Sequence, residues 1–139
     1  MRRYLVVANK TLLGDPLLGR IKECLAAGPC QFHIVVPATH VPGETWQTES
    51  REHAFAGARL REGLERFRSL GAEVDGEVGD TRPMDAIKDA MLHAPPFDEI
   101  ILSTLPPGLS RWLRGDLPHR IHRAFNLPLS TVTAAKAAA

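Results

Sequence analysis

Short continuous runs of apolar residues recur along the chain, and between them the apolar positions open out to helical spacing. YLVVA, Tyr4 to Ala8, is unbroken and β-rich, the pattern of a strand covered on both faces in a parallel sheet. Asp15 followed by Pro16 predicts an N-cap and first helical residue. Leu17, Leu18, Ile21 and Leu25 then share one helical face, and Gly28-Pro29 stops the helix. FHIVV, Phe32 to Val36, predicts the second strand, and the stretch from Pro37 to about Glu49, with a glycine, prolines and Trp46, is long enough for a lid. Ser50, with Glu52 and His53, opens a long helix reaching Leu70, in which Leu60, Leu64 and Phe67 form one buried stripe and Gly71 is the stop. AEVDGEV, Ala72 to Val78, is a weaker strand. Gly79 to Thr81 then form a turn and cap, Pro83 starts a helix, and Ile87, Met91 and Leu92 give that helix its face. FDEIILS from Phe97 is the fourth strand and LPLSTV, Leu127 to Val132, the fifth; the closing AAKAAA is expected to fray.

Strands alternating with helices at this spacing predict an α/β domain over residues 1–133. It has a single open, mostly parallel five-stranded sheet with helices on both faces, a Rossmann-like arrangement. Ligands of such sheets lie beyond the carboxyl ends of the strands, where the strand order reverses. The predicted ends place Ala8, Asn9 and Lys10, then Pro37, Ala38 and Thr39, then Gly79 and Asp80, and finally Ser103, Thr104, Gly108 and Ser110 around that crevice.

Composition narrows the classes. The 139 residues suit one core, and 17 basic against 16 acidic side chains give no global attraction to nucleic acid or to an anionic membrane. Tyr4 to Ala8 is too short for a membrane span or a signal-peptide core, which predicts a cytoplasmic protein. Cys24 and Cys30 form no Cys-x-x-Cys pair, so reduced thiols are expected and no metal site is assigned.

The order of elements, VGDTRPMDAI after the third strand, and GLSRWLRG followed by LPHRI and NLPLSTV together resemble the universal stress protein family over nearly the whole chain. The resemblance implies a five-stranded Rossmann-like domain, often dimeric, that binds ATP in many members. Its signature after the fourth strand is a Gly, two residues, a Gly, nine residues, then Gly with Ser or Thr. Aligned on GLSRWLRG, those positions fall on Leu102, Leu105, Gly115 and Asp116, so one of the four is kept. The family's nucleotide binders tend to end the first strand in Asp, where this chain has Asn9. The resemblance also implies a homodimer through the last strand, Leu127 to Val132, whose edge tolerates Pro128.

Physical chemistry gives those departures a direction. Leu102 and Leu105 replace residues that let backbone approach a phosphate, and Pro106 and Pro107 each remove an N–H donor. Asp116 before Leu117-Pro118 reads as an N-cap whose carboxylate would satisfy the next helix and repel a phosphate. Arg111, Arg114, Arg120 and Arg123 read as a solvated helix face, His119 and His122 as surface histidines, and Trp112 as packing. Ser103, Ser110, His33 and Asp80 could be hydrolase parts, but no G-x-S-x-G elbow accompanies them. The expectation is a non-enzymatic regulatory or stress-response module with a degenerate nucleotide site and no cofactor. The alternative is an ATP or AMP binder using Asn9, Lys10, Thr39, Ser103, Thr104 and Ser110; a small hydrolase is the third class.

Overall fold

The computed structural model describes residues 1–38, 49–94, 96–106 and 109–134. Their order is β1 (Arg2–Val7), α1 (Asp15–Ala27), β2 (Cys30–Pro37), α2 (Glu49–Ser69), β3 (Glu73–Gly79), α3 (Pro83–His93), β4 (Glu99–Thr104), α4 (Arg111–Arg114), α5 (Leu117–Phe125) and β5 (Leu129–Thr133). The strands form one sheet in the order β3-β2-β1-β4-β5, and every neighbouring pair is parallel. The expected α/β architecture is therefore present, and its parallel character is complete.

The apolar strand runs sit in the middle of the sheet. Val6 faces Ile34 of β2 on one side and Ile101 of β4 on the other. Alternation along the strands divides the core in two. Tyr4, Val6, Ile34, Val36 and Ile101 pack with Leu17 and Ile21 of α1 and with Leu60 and Phe67 of α2. On the opposite face Leu5, Val7, Val35, Ile100 and Leu102 pack with Ala86, Ile87 and Ala90 of α3 and with Leu117 and Ile121 of α5. Helices α1 and α2 thus cover one face and α3 and α5 the other.

Close approach accounts for two glycines. A Cβ on Gly76 would stand 2.7 Å from Leu60 Cδ1 and 2.8 Å from the Ile34 carbonyl, so α2 can lie against β3 only over a bare backbone. A Cβ on Gly79 would meet the Ala86 Cβ at 2.6 Å, so this candidate site residue is a packing glycine under α3. The end of the sheet away from the crevice is tied by Glu99. Its carboxylate accepts from Arg2 at 3.2 Å, Arg20 at 3.1 Å and Ser130 Oγ at 3.0 Å.

Two caps differ from the sequence reading. Gly14, not Asp15, stands at the N-cap of α1, and Asp15 is the first helical residue, where its charge still faces the helix dipole. Asp116 does precede α5, but with φ 56° and ψ 39° it is left-handed and its side chain caps nothing. A left-handed residue aims its side chain away from the first-turn N–H groups, and the carboxylate instead meets His119 Nδ1 at 3.4 Å. The helix is not self-capped. α2 closes as expected at Gly71, with φ 92° and Ala72 N–H donating to the Phe67 carbonyl at 3.1 Å.

Candidate functional site

The strand order reverses between β1 and β4, since β1 continues leftward to β2 while β4 continues rightward to β5. The crevice beyond their carboxyl ends is thus bounded by the residues after Val7 and after Thr104. Asn9, Thr11, Ser103, Thr104 and Ser110 are all buried here, a concentration of polar side chains at one end of an otherwise apolar core.

Each of these five has a protein partner. Asn9 Nδ2 donates to the Pro37 carbonyl at 2.6 Å, which ties the ends of β1 and β2 together, and Asn9 Oδ1 accepts from Arg59 of α2. Thr11 Oγ1 and Ser103 Oγ share a hydrogen bond of 2.6 Å across the switch point. Thr104 Oγ1 donates to the Leu105 carbonyl at 3.0 Å. Ser110 Oγ accepts the Leu113 N–H at 3.1 Å and so caps α4. Buried polar groups need such partners, and here the chain supplies them.

The other candidates separate into distinct roles. Ala8 and Ala38 are buried, with Ala8 N–H donating to the Val35 carbonyl and Ala38 N–H to the Gly79 carbonyl, so both extend the sheet. Pro37 closes β2 opposite Gly79 and contributes its carbonyl to Asn9. Lys10 is exposed. Asp80 turns back on its own loop, where its Oδ1 accepts the Arg82 N–H at 2.9 Å. Gly115 and Asp116 form the exposed turn between α4 and α5. Thr39, Gly108, Trp46 and Pro107 lie outside the described residues, as does the side chain of Arg111.

Leu102 does not stand over the crevice as a phosphate-loop residue would. Its side chain is fully buried in the core beneath α3 and α5, while the neighbouring Ser103 points to the opposite face. Thr11 and Arg59 are the crevice residues that sequence reasoning missed. Thr11 follows a lysine in a loop, and Arg59 is one of many charges along α2, so neither carries a signal without the fold.

The hydrolase parts are not assembled. His33 does have carboxylate partners, with Nδ1 at 2.8 Å from Asp75 Oδ1 and Nε2 at 2.8 Å from Glu77 Oε2, which His93 Nε2 also meets at 2.7 Å. His33 lies level with Leu5 and Ile100, however, three residues short of Ser103 and with β1 intervening. Asp75 and Glu77, two apart on β3, reach the same face, a signal that alternation could have given. His119 and His122 do not converge, since His122 Nδ1 faces the Leu127 carbonyl. Among the described residues no group of three or more His, Cys, Asp or Glu could hold a metal ion, and no helix is long and apolar enough to cross a membrane.

No protein-family model matches the chain, and no curated protein matches it in sequence. Solved structures do. A universal stress protein from Archaeoglobus fulgidus superposes with a TM-score of 0.63 at 14% identity, over 95% of this chain and 93% of that one. The fold is that of the universal stress proteins. A universal stress protein in complex with cAMP aligns with a TM-score of 0.61 at 18% identity, over 96% of this chain and 98% of that one. An Arabidopsis thaliana universal stress protein family protein with AMP bound gives 0.59 at 10% identity, over 97% and 93%.

Proposed function

We propose that the chain is a non-enzymatic regulatory module of universal stress protein type, acting in the cytoplasm, whose switch-point crevice has lost its nucleotide. The observation that carries this reading is the pairing of the buried crevice side chains with one another and with nearby backbone, above all Thr11 with Ser103 and Asn9 with Pro37. A nucleotide entering there would have to replace these bonds, and leaving a buried partner unpaired costs about 1–3 kcal/mol each. The two free, buried thiols of Cys24 and Cys30 suit a reducing compartment. Proteins of this fold with AMP or cAMP bound favour a second reading, in which the crevice opens to an adenine nucleotide. Hydrolysis has less support, because the partner of the Ser103 hydroxyl is Thr11 and not a base. We also propose that β5, at the sheet edge, pairs with β5 of a second copy.

Native mass spectrometry of freshly purified protein tests the reading. The expected spectrum contains the protein mass without an adenine nucleotide. A stoichiometric AMP or ATP adduct that survives gel filtration would favour the second reading, and its turnover would favour the third.

A further inference from the structure

The outward side of α5 carries cations and no acid. Leu117 and Ile121 are buried and Phe125 packs against them in the core, which fixes the inner side of the helix. His119, Arg120, His122 and Arg123 are exposed. At about 100° per residue they fill an arc of roughly 160° on the side away from the core. Arg114, at the end of α4, is exposed just ahead of the same helix. We propose that this face docks an acidic segment of a partner protein. The proposal does not depend on whether the switch-point crevice holds a nucleotide.

A helix face that is only solvated usually mixes its signs, and the longer helices of this chain do so. Asp15, Arg20, Lys22 and Glu23 stand together on α1, Arg61, Glu62, Glu65 and Arg66 on α2, and Asp85, Lys88 and Asp89 on α3. The α5 face does not. Arg120 and Arg123 are three residues apart, a spacing at which like charges on a helix repel. Arg123, in the last turn, has the helix dipole in its favour, but Arg120, near the start, does not. Asp116, the nearest acid in the sequence, meets His119 at 3.4 Å. The guanidinium groups of Arg114, Arg120 and Arg123 make no ion pair with the described residues. Carboxylates brought by a partner would relieve the repulsion and meet fork-shaped donors that the fold leaves open.

The size and setting of the face select among polyanions. With a net charge of +1, the chain as a whole draws none of them. α5 has 9 residues, and its length of about 13 Å sets only a few phosphates against it, whereas nucleic-acid binders gather their affinity from many. An anionic membrane is a poor match as well, because the apolar side of α5 is spent on the core and none is left to enter the headgroup region. A carboxylate-rich peptide needs neither a long track nor an apolar face.

The probe is a fluorescein-labelled decapeptide of alternating Glu and Asp, followed by fluorescence anisotropy at low ionic strength. The wild-type chain should bind it saturably, with an affinity that falls as salt is raised. Arg120→Gln/Arg123→Gln should weaken binding by about tenfold or more, and Arg120→Lys/Arg123→Lys, which keeps the charge but not the fork, by less. Arg61→Gln/Arg66→Gln removes the same charge from the exposed side of α2 and should change the affinity by less than about twofold. Circular dichroism checks that each variant is folded. No saturable binding by the wild type, or equal weakening by the α5 and α2 pairs, would overturn the proposal. So would a single-stranded oligonucleotide of equal charge, or phosphatidylserine vesicles, binding more tightly than the peptide and losing that binding in Arg120→Gln/Arg123→Gln, which would assign the face to nucleic acid or to a membrane.

Discussion

Asn9 stands two residues beyond β1, and its amide, in place of a carboxylate, has a structural use. Its amide nitrogen donates to the buried Pro37 carbonyl, a bond no carboxylate can make. Asn9→Asp would set two acceptors against each other, with Arg59 offsetting part of the charge. The expected loss is about 1–3 kcal/mol in urea unfolding at neutral pH, the scale for leaving a buried group unpaired. Burial also pushes the Cys24 thiol up, and the Cys30 thiol likewise, so both stay protonated in the folded protein. A disulfide reagent at neutral pH should therefore react at least about tenfold more slowly with native than with denatured protein, since the thiolate is the nucleophile. The sign of the linkage follows: the unfolded chain gives up its thiol protons first, so stability falls as pH rises past the ordinary thiol range of about 8.5. Asn9 was legible as a departure from pattern, but its use was not, because the acceptor lies 28 positions away on β2.

Elements were more legible than their ends. Continuous apolar runs marked β1, β2 and β4 because both faces of a central parallel strand are covered, and helical spacing marked α1 and the Leu60–Phe67 stripe of α2. Asp116 shows where local chemistry misled. Asp before Leu-Pro has the composition of an N-cap, yet the turn from α4 into α5 demands a left-handed residue, and tertiary geometry decided the backbone. Left-handed backbone costs an L-residue about 1–2 kcal/mol, less for Asp than for most, and glycine escapes it. Asp116→Gly should thus raise thermal stability by a few tenths to about 1 kcal/mol, after allowing for glycine's greater entropy when unfolded. Asp116→Val should lower it by about 1–2 kcal/mol. A destabilising glycine would mean that the His119 contact at 3.4 Å outweighs the backbone term. Leu102→Gly, by contrast, would empty a fully buried core position and cost about 3–5 kcal/mol, so it opens no phosphate loop.

At the scale of the molecule, the alternation of strands and helices was enough to place the crevice, because a parallel sheet whose order reverses leaves few alternatives. The Thr11–Ser103 bond across that crevice was not readable, since it joins residues 92 positions apart. The edge position of β5 bears on assembly. Sedimentation at tens of micromolar is expected to show a dimer that a Thr131→Lys substitution at an exposed position of β5 weakens, as charge on an edge strand blocks pairing. A monomer under those conditions would remove the β5 interface. The most direct measurement is titration calorimetry of Mg-ATP, AMP and cAMP against the freshly purified wild-type protein. A crevice occupied by its own hydrogen bonds predicts no binding tighter than about 100 µM, or roughly −5.5 kcal/mol. Saturable micromolar binding of any of the three would contradict the closed-crevice account.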